Sequence, residues 1–317
     1  MPSITTPGGS SAGAPKSGSK LVSGRSRRGE RLIQWILAAA ALVSVATTLA
    51  IVVSLLAETV LFLREVPLTD FLFGTEWAPT FAEPTFGVLP LVAGTLLTTF
   101  LAILVAVPLG LAAAVYLSEY ATPKVRKTLK PILELLAGIP TVVFGYFALT
   151  FVTPLILQDI LGLDVQGFNA LSAGLIMGFM VLPTIASLAE DAMSAVPHSL
   201  REGAYGLGSN RMQVATRVVF PAALSGIVAG VVLGVSRAVG ETMIVLVAAG
   251  SIANLTGDPR DPVQTMTAFI ASIAKGDAAV GSITYQTLFA VGMLLFLSTL
   301  IMNMISIRFV RKFRQAY

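Results

Sequence analysis

Arg237 and Glu241 stand four residues apart in an otherwise uncharged run, Ser236-Arg237-Ala238-Val239-Gly240-Glu241-Thr242, within a long apolar stretch. A charged side chain at the centre of a membrane helix costs at least about 2.5–3.5 kcal/mol on insertion scales. A spacing of i, i+4 lets the two charges partly neutralise each other. One reading of the pair is therefore purely structural. The helical wheel supports another. Gly226, Gly230, Gly234 and Ala238 recur every four residues and form a ridge of small side chains suited to close helix packing. Arg237 and Glu241 fall within that arc, so the pair is expected to face protein or a cavity rather than lipid. A permanently charged guanidinium can bind an oxyanion through two parallel hydrogen bonds. Glu241 can hold it between substrates, or accept a proton from a protonated oxyanion.

A second informative segment runs Pro197-His198-Ser199-Leu200-Arg201-Glu202-Gly203-Ala204-Tyr205-Gly206-Leu207-Gly208 and ends, after nine residues, in Val218-Val219-Phe220-Pro221. Ser199 and Glu202 have the spacing of a capping box, which predicts a helix start. Gly206 and Gly208 suit its end. A short helix in a cytosolic loop is expected, and capping alone would explain Glu202. The whole pattern resembles the EAA loop of ABC importer permeases, Glu-Ala-Ala-x-x-x-Gly, nine residues, Ile-x-Leu-Pro. Gly203, Val218 and Phe220 replace the family's Ala, Ile and Leu. The resemblance implies that Glu202, Gly203, Ala204 and Gly208 dock on a separate ATPase.

The interior run itself is similar to the Arg-Ala-x-Gly-Glu-Thr segment of phosphate-specific transport (Pst) permeases. Leu136-Ala137-Gly138-Ile139-Pro140-Thr141-Val142-Val143-Phe144-Gly145 resembles that family's third-span motif. Phe73-Gly74-Thr75-Glu76-Trp77 with Pro79 resembles the PstC-type subunit rather than the PstA-type. The resemblance covers about residues 30–317. It implies a type I importer permease whose substrate pathway includes Arg237, Glu241 and Thr242. It also implies a PstA-type second permease, a dimeric PstB-type ATPase and a PstS-type phosphate-binding protein as partners. A permease for another oxyanion (phosphonate, sulfate or molybdate), a secondary transporter and a membrane sensor are the alternatives.

The elements that must position these residues are membrane helices. Only 12% of the 317 residues are charged and 55% are hydrophobic, whereas a soluble domain carries about 25% charged residues. Six apolar runs, at 32–63, 88–117, 131–157, 169–189, 221–249 and 284–307, reach the roughly 20 residues that span a bilayer. The first is too long for a signal peptide. An all-α integral membrane bundle follows, because a helix satisfies its own backbone in lipid. Residues 1–30, rich in Gly, Ser and Pro, read as a disordered cytoplasmic tail, and 31–317 as the permease domain. Prolines at 108, 140 and 183 kink helices or, at Gly138-Ile139-Pro140, break one.

The net charge of +4 does not signal nucleic acid. The Lys and Arg residues cluster at 16–31, 124–130, 201–217 and 308–314, the ends of apolar runs. The positive-inside rule then puts both termini in the cytoplasm of a bacterial plasma membrane protein. The opposite loops are mostly acidic. In one of them Asp261-Pro262 is expected to cap a short helix lying at the outer surface, with Val263, Met266, Phe269, Ile270 and Ile273 on its apolar face and Gly276 at its end. The absence of cysteine excludes disulfides and thiolate metal sites. His198 has no partner of metal-ligand type nearby, so neither a metal nor a cofactor is expected. No G-x-x-x-x-G-K-[ST] loop occurs in the chain, so ATP hydrolysis falls to a partner.

Overall fold

The computed structural model describes residues 27–313. Most of the expected tail lies outside the described residues. Its last four positions do not, because helix α1 (Arg27–Glu65) already includes them. The chain divides into two units between Ile51 and Val52. In the first, the described part of α1 is exposed throughout 29–51. The helix is long and apolar enough to cross a membrane.

The second unit contains the remaining elements. Helix α2 is Leu89–Tyr120, α4 is Thr141–Ile160 and α5 is Ala170–Ser194. Between α2 and α4 lies α3, Pro123–Ala137. After α5 come the short α6, His198–Gly206, then α7, Arg211–Ala222, and α8, Leu224–Val239. Helix α9 is Met266–Ser272 and α10 is Ile283–Phe313. One small antiparallel pair, Trp77–Ala78 against Thr85–Phe86, interrupts the helical pattern.

Among the described residues five helices are long and apolar enough to cross a membrane, and six if α7 and α8 count as one bent span. The six-helix expectation holds with two corrections. The third span is α4 and not 131–157. Gly138-Ile139-Pro140 separates it from α3, an amphipathic helix with no buried residue. Pro140 cannot donate a backbone hydrogen bond and restricts Ile139, so the two helices cannot merge. The fifth span is also discontinuous. It bends by 73° between α7 and α8, and the helix breaks again at 240–242.

Helix α5 is the centre of the bundle. A Cβ added at Gly174 would fall 2.5 Å from the Leu101 Cβ of α2. On another part of α5, a Cβ at Gly226 of α8 would fall 2.5 Å from that of Ala192, and one at Gly234 would fall 2.8 Å from the Ile185 side chain. The glycine ridge read from the sequence is thus packed against α5 at near-backbone distance. Leu96, Phe100 and Leu104 form an exposed stripe on α2, an arrangement suited to lipid rather than water.

Helix α9 differs from expectation. Its N-cap is Thr265, whose hydroxyl accepts from the Ala268 N–H, and not Asp261. The backbone around Asp261 is committed elsewhere. The Asp261 carbonyl accepts from Ala170 N–H, and Val263 N–H donates to the Ala249 carbonyl. Nor does α9 lie on a surface. Val263, Met266, Phe269 and Ile273 are buried, and Phe269 packs in one core with Phe62, Trp77 and Leu91. Gly276 follows with φ of 107°, in keeping with its expected role as a stop.

Candidate functional site: an interior cation and an exposed helix

The break at 240–242 sets the geometry of the interior charges. Helix α8 ends at Val239, and the helical turn that follows is capped by Glu241. Its Oε1 accepts the N–H groups of Met243 at 2.9 Å and Ile244 at 3.2 Å. The Glu241 carbonyl accepts from the Thr267 hydroxyl of α9 at 2.6 Å. Thr242 is half-buried beside them, its hydroxyl 3.4 Å from the Gly240 carbonyl. Glu241 is 8% exposed. Both described bonds of its carboxylate serve the backbone of the broken span.

Arg237 points elsewhere. Its Nη1 donates to the Thr184 hydroxyl of α5 at 3.0 Å. Among the described residues no salt bridge includes Arg237 or Glu241. The i, i+4 pairing expected from sequence is therefore not formed, because it presumes a continuous helix through Gly240. Arg237 is half-buried, and its guanidinium keeps donors to spare. A half-buried cation with no carboxylate partner among the described residues can accommodate an anion.

The second element is α6. It starts at His198 with Pro197 as N-cap and no side-chain cap bond. Ser199 is thus already inside the helix, and the expected capping box with Glu202 is absent. A capping box does form nearby, between Asn210 and Gln213 at the start of α7. The C-terminal reading is met in detail. Gly208 adopts φ of 84°. Its N–H donates to the Tyr205 carbonyl, and the Ser209 N–H to that of Ala204, the Schellman pattern. Glu202, Gly203 and Gly208 are exposed and Ala204 is half-buried. A Cβ at Gly203 would meet nothing within 4 Å.

The profile of the family described as "Binding-protein-dependent transport system inner membrane component" matches residues 106–315, the stretch holding both elements. The chain belongs to this family. It is 36% identical over 296 residues to the probable ABC transporter permease protein YqgH of Bacillus subtilis, covering 92% of this chain and 94% of that one. It is also 36% identical over 249 residues to the phosphate transport system permease protein PstC of Mesorhizobium japonicum, covering 73% and 74%. A chain of the bacterial alginate ABC transporter superposes with a TM-score of 0.65 at 17% identity, covering 90% of this chain and 96% of that one. A chain of the MetNI methionine ABC transporter gives 0.53 at 19% identity, covering 72% and 95%. This inner-membrane protein is a transporter permease, not an enzyme.

Sequence reasoning missed three features of the permease. Leu207 is 90% exposed, and Leu200, Tyr205 and Met212 of the same segment are exposed too, so α6 and the turn after it present large apolar side chains. Glu190 of α5, fully buried, forms ion pairs with Arg126 and Lys130 of α3. Glu119 at the end of α2 pairs with Arg201 of α6. Burial of the Lys130 ammonium opposes its charge, but hydrogen bonds to Asp191 and Glu190 outweigh this and raise its pKa above the ordinary value.

Proposed function

We propose that the chain is one permease half of an ATP-driven importer of inorganic phosphate, of the PstC type. The observation that carries this reading is Arg237, a cation inside the bundle that hydrogen-bonds to Thr184 and forms no ion pair with Glu241. A tetrahedral oxyanion supplies what such a guanidinium lacks. The similarity to relatives named phosphate transport permeases favours phosphate over phosphonate, sulfate or molybdate. Arg237 and Thr242 then stand along the substrate pathway, with Glu241 shaping it as a cap.

Helix α6 docks on a PstB-type ATPase dimer through Glu202, Gly203, Ala204 and Gly208. The exposed apolar residues of this segment, Leu207 above all, support this, since exposed apolar surface is suited to a partner. A PstA-type permease completes the pathway and a PstS-type protein delivers phosphate from outside. Both termini are cytoplasmic, as the distribution of Lys and Arg favours. Closure of the ATPases moves α6 and switches the pathway between outward and inward access.

The test is phosphate uptake by proteoliposomes holding the four components. ATP-dependent uptake that excess sulfate, molybdate or phosphonate leaves unchanged is the expected result. Preferential transport of one of those competitors reassigns the substrate. Uptake driven by an ion gradient without the ATPase overturns the whole reading.

A further inference from the structure

Glu119 and Arg201 are 82 residues apart in sequence, yet they share an ion pair. Arg201 Nη2 lies 2.9 Å from Glu119 Oε1, with side chains 12% and 4% exposed. The same guanidinium donates to two backbone carbonyls, Met193 in the last turn of α5 at 2.8 Å and Val196 just beyond it at 2.5 Å. The Ser118 hydroxyl adds a bond to Glu119 Oε1 at 2.9 Å. One planar group thus fastens α6 to both α2 and α5. Charge-assisted bonds of this kind are about twice as strong as neutral ones.

The other hold on α6 is packing of the half-buried Ala204 against the core that includes Ala189, Met193 and Val214. None of its residues is buried. A helix with so little apolar surface to bury depends on directional bonds for its orientation, and three bonds from one rigid group fix it. The acceptors also lie on helices that matter. Thr184, the partner of Arg237, is on α5 nine residues before Met193, about 14 Å away along a helix rising 1.5 Å per residue. The cytosolic helix and the interior cation are therefore joined through one rigid element.

We infer that Arg201 is a positioning residue for coupling, the strut through which movement of α6 reaches α2 and α5. This rests on the proposed docking of the ATPase at α6. The two roles are separable, because the Arg201 side chain is turned into the bundle while Glu202, Gly203 and Gly208 stay exposed. Lysine cannot replace it, since an ammonium is a point charge without the planar fork that serves several acceptors at once.

The complex with ATPase, partner permease and phosphate-binding protein is reconstituted, and phosphate taken up is measured per ATP hydrolysed. Arg201→Ala is expected to lower that ratio at least tenfold, and Glu119→Gln at least threefold, with wild-type amounts of co-purifying ATPase. A wild-type ratio in both variants overturns the strut. If Arg201→Ala does not assemble, Glu119→Gln decides together with a distance measurement. The chain has no cysteine, so spin labels at Lys124→Cys and Ser199→Cys report the distance from α3 to α6 without background. Glu119→Gln should at least double the width of its distribution; an unchanged width overturns the inference. If the unaltered chain itself fails to retain the ATPase, the docking reading is refuted and the strut falls with it.

Discussion

The Arg237 guanidinium of α8 donates to the Thr184 hydroxyl of α5, 3.0 Å away, and forms no ion pair with Glu241. The contact crosses the packed seam where Gly234 meets Ile185. It orients the side chain and leaves its charge unspent. Arg237→Gln keeps hydrogen-bonding capacity and removes the charge. Phosphate uptake should fall at least a hundredfold at normal membrane levels of the complex. Thr184→Val, which frees the guanidinium, should cost less, about three- to tenfold. Both are read by radiolabelled uptake beside immunoblots of the membrane fraction. Wild-type uptake by Arg237→Gln would sink the substrate assignment.

Glu241 acts on the backbone, so its substitutions should sort by capping ability. Glu241→Gln keeps an acceptor oxygen for the Met243 and Ile244 N–H groups and should retain most transport. Glu241→Leu leaves both donors unsatisfied and should cost about 1 kcal/mol of stability, the usual worth of an N-cap, along with most of the activity. Thermal unfolding and uptake, measured together, check the order. Equal loss from both substitutions would return the role to its charge.

Gly203 and Gly208 should fail in different ways. Open space surrounds Gly203, so Gly203→Trp should leave the isolated permease as stable as before and block ATPase docking. Gly208 has φ of 84°, and Gly208→Val should strain the turn by about 1–2 kcal/mol and displace the end of α6. Co-purification of the ATPase tests docking, and thermal unfolding of the permease alone separates the two causes.

How much of this was legible from the sequence differs by feature. The apolar runs were, because lipid demands about 20 unbroken apolar residues and a self-satisfied backbone. The start of the third span was misread because Ile132, Leu133, Leu135 and Leu136 of amphipathic α3 extend the apolar count. The glycine ridge was readable, since its period is local. The partners of Glu190 and Glu119 were not. Each lies at the end of an apolar run and finds its cation 60 or 82 residues away, a distance over which no periodicity carries information. The Arg237–Glu241 pairing failed because spacing predicts contact only along an unbroken helix.

The close seam between α8 and α5 yields a compensation test. Gly226→Val should overpack against Ala192 and cost about 1–3 kcal/mol. Adding Ala192→Gly should recover most of it, since the clash is with that one Cβ. Unfolding curves of the single and double variants supply the comparison. No recovery would mean that the two helices do not meet there.

Orientation is tested by reporters. One fused after Tyr317 should read cytoplasmic, and one inserted at Gly257, where a Cβ has open space around it, should read external. A cytoplasmic signal from Gly257 would overturn the arrangement of the spans.

The buried position of Glu190 bears on how distant parts of the chain are tied together. Its cations, Arg126 and Lys130, lie some 60 residues earlier and precede the hairpin formed by α4 and α5. One carboxylate therefore clasps the stretch of chain entering that hairpin to the stretch leaving it. The clasp is a non-covalent counterpart of a cross-link, and like one it closes a long loop of chain at a single point.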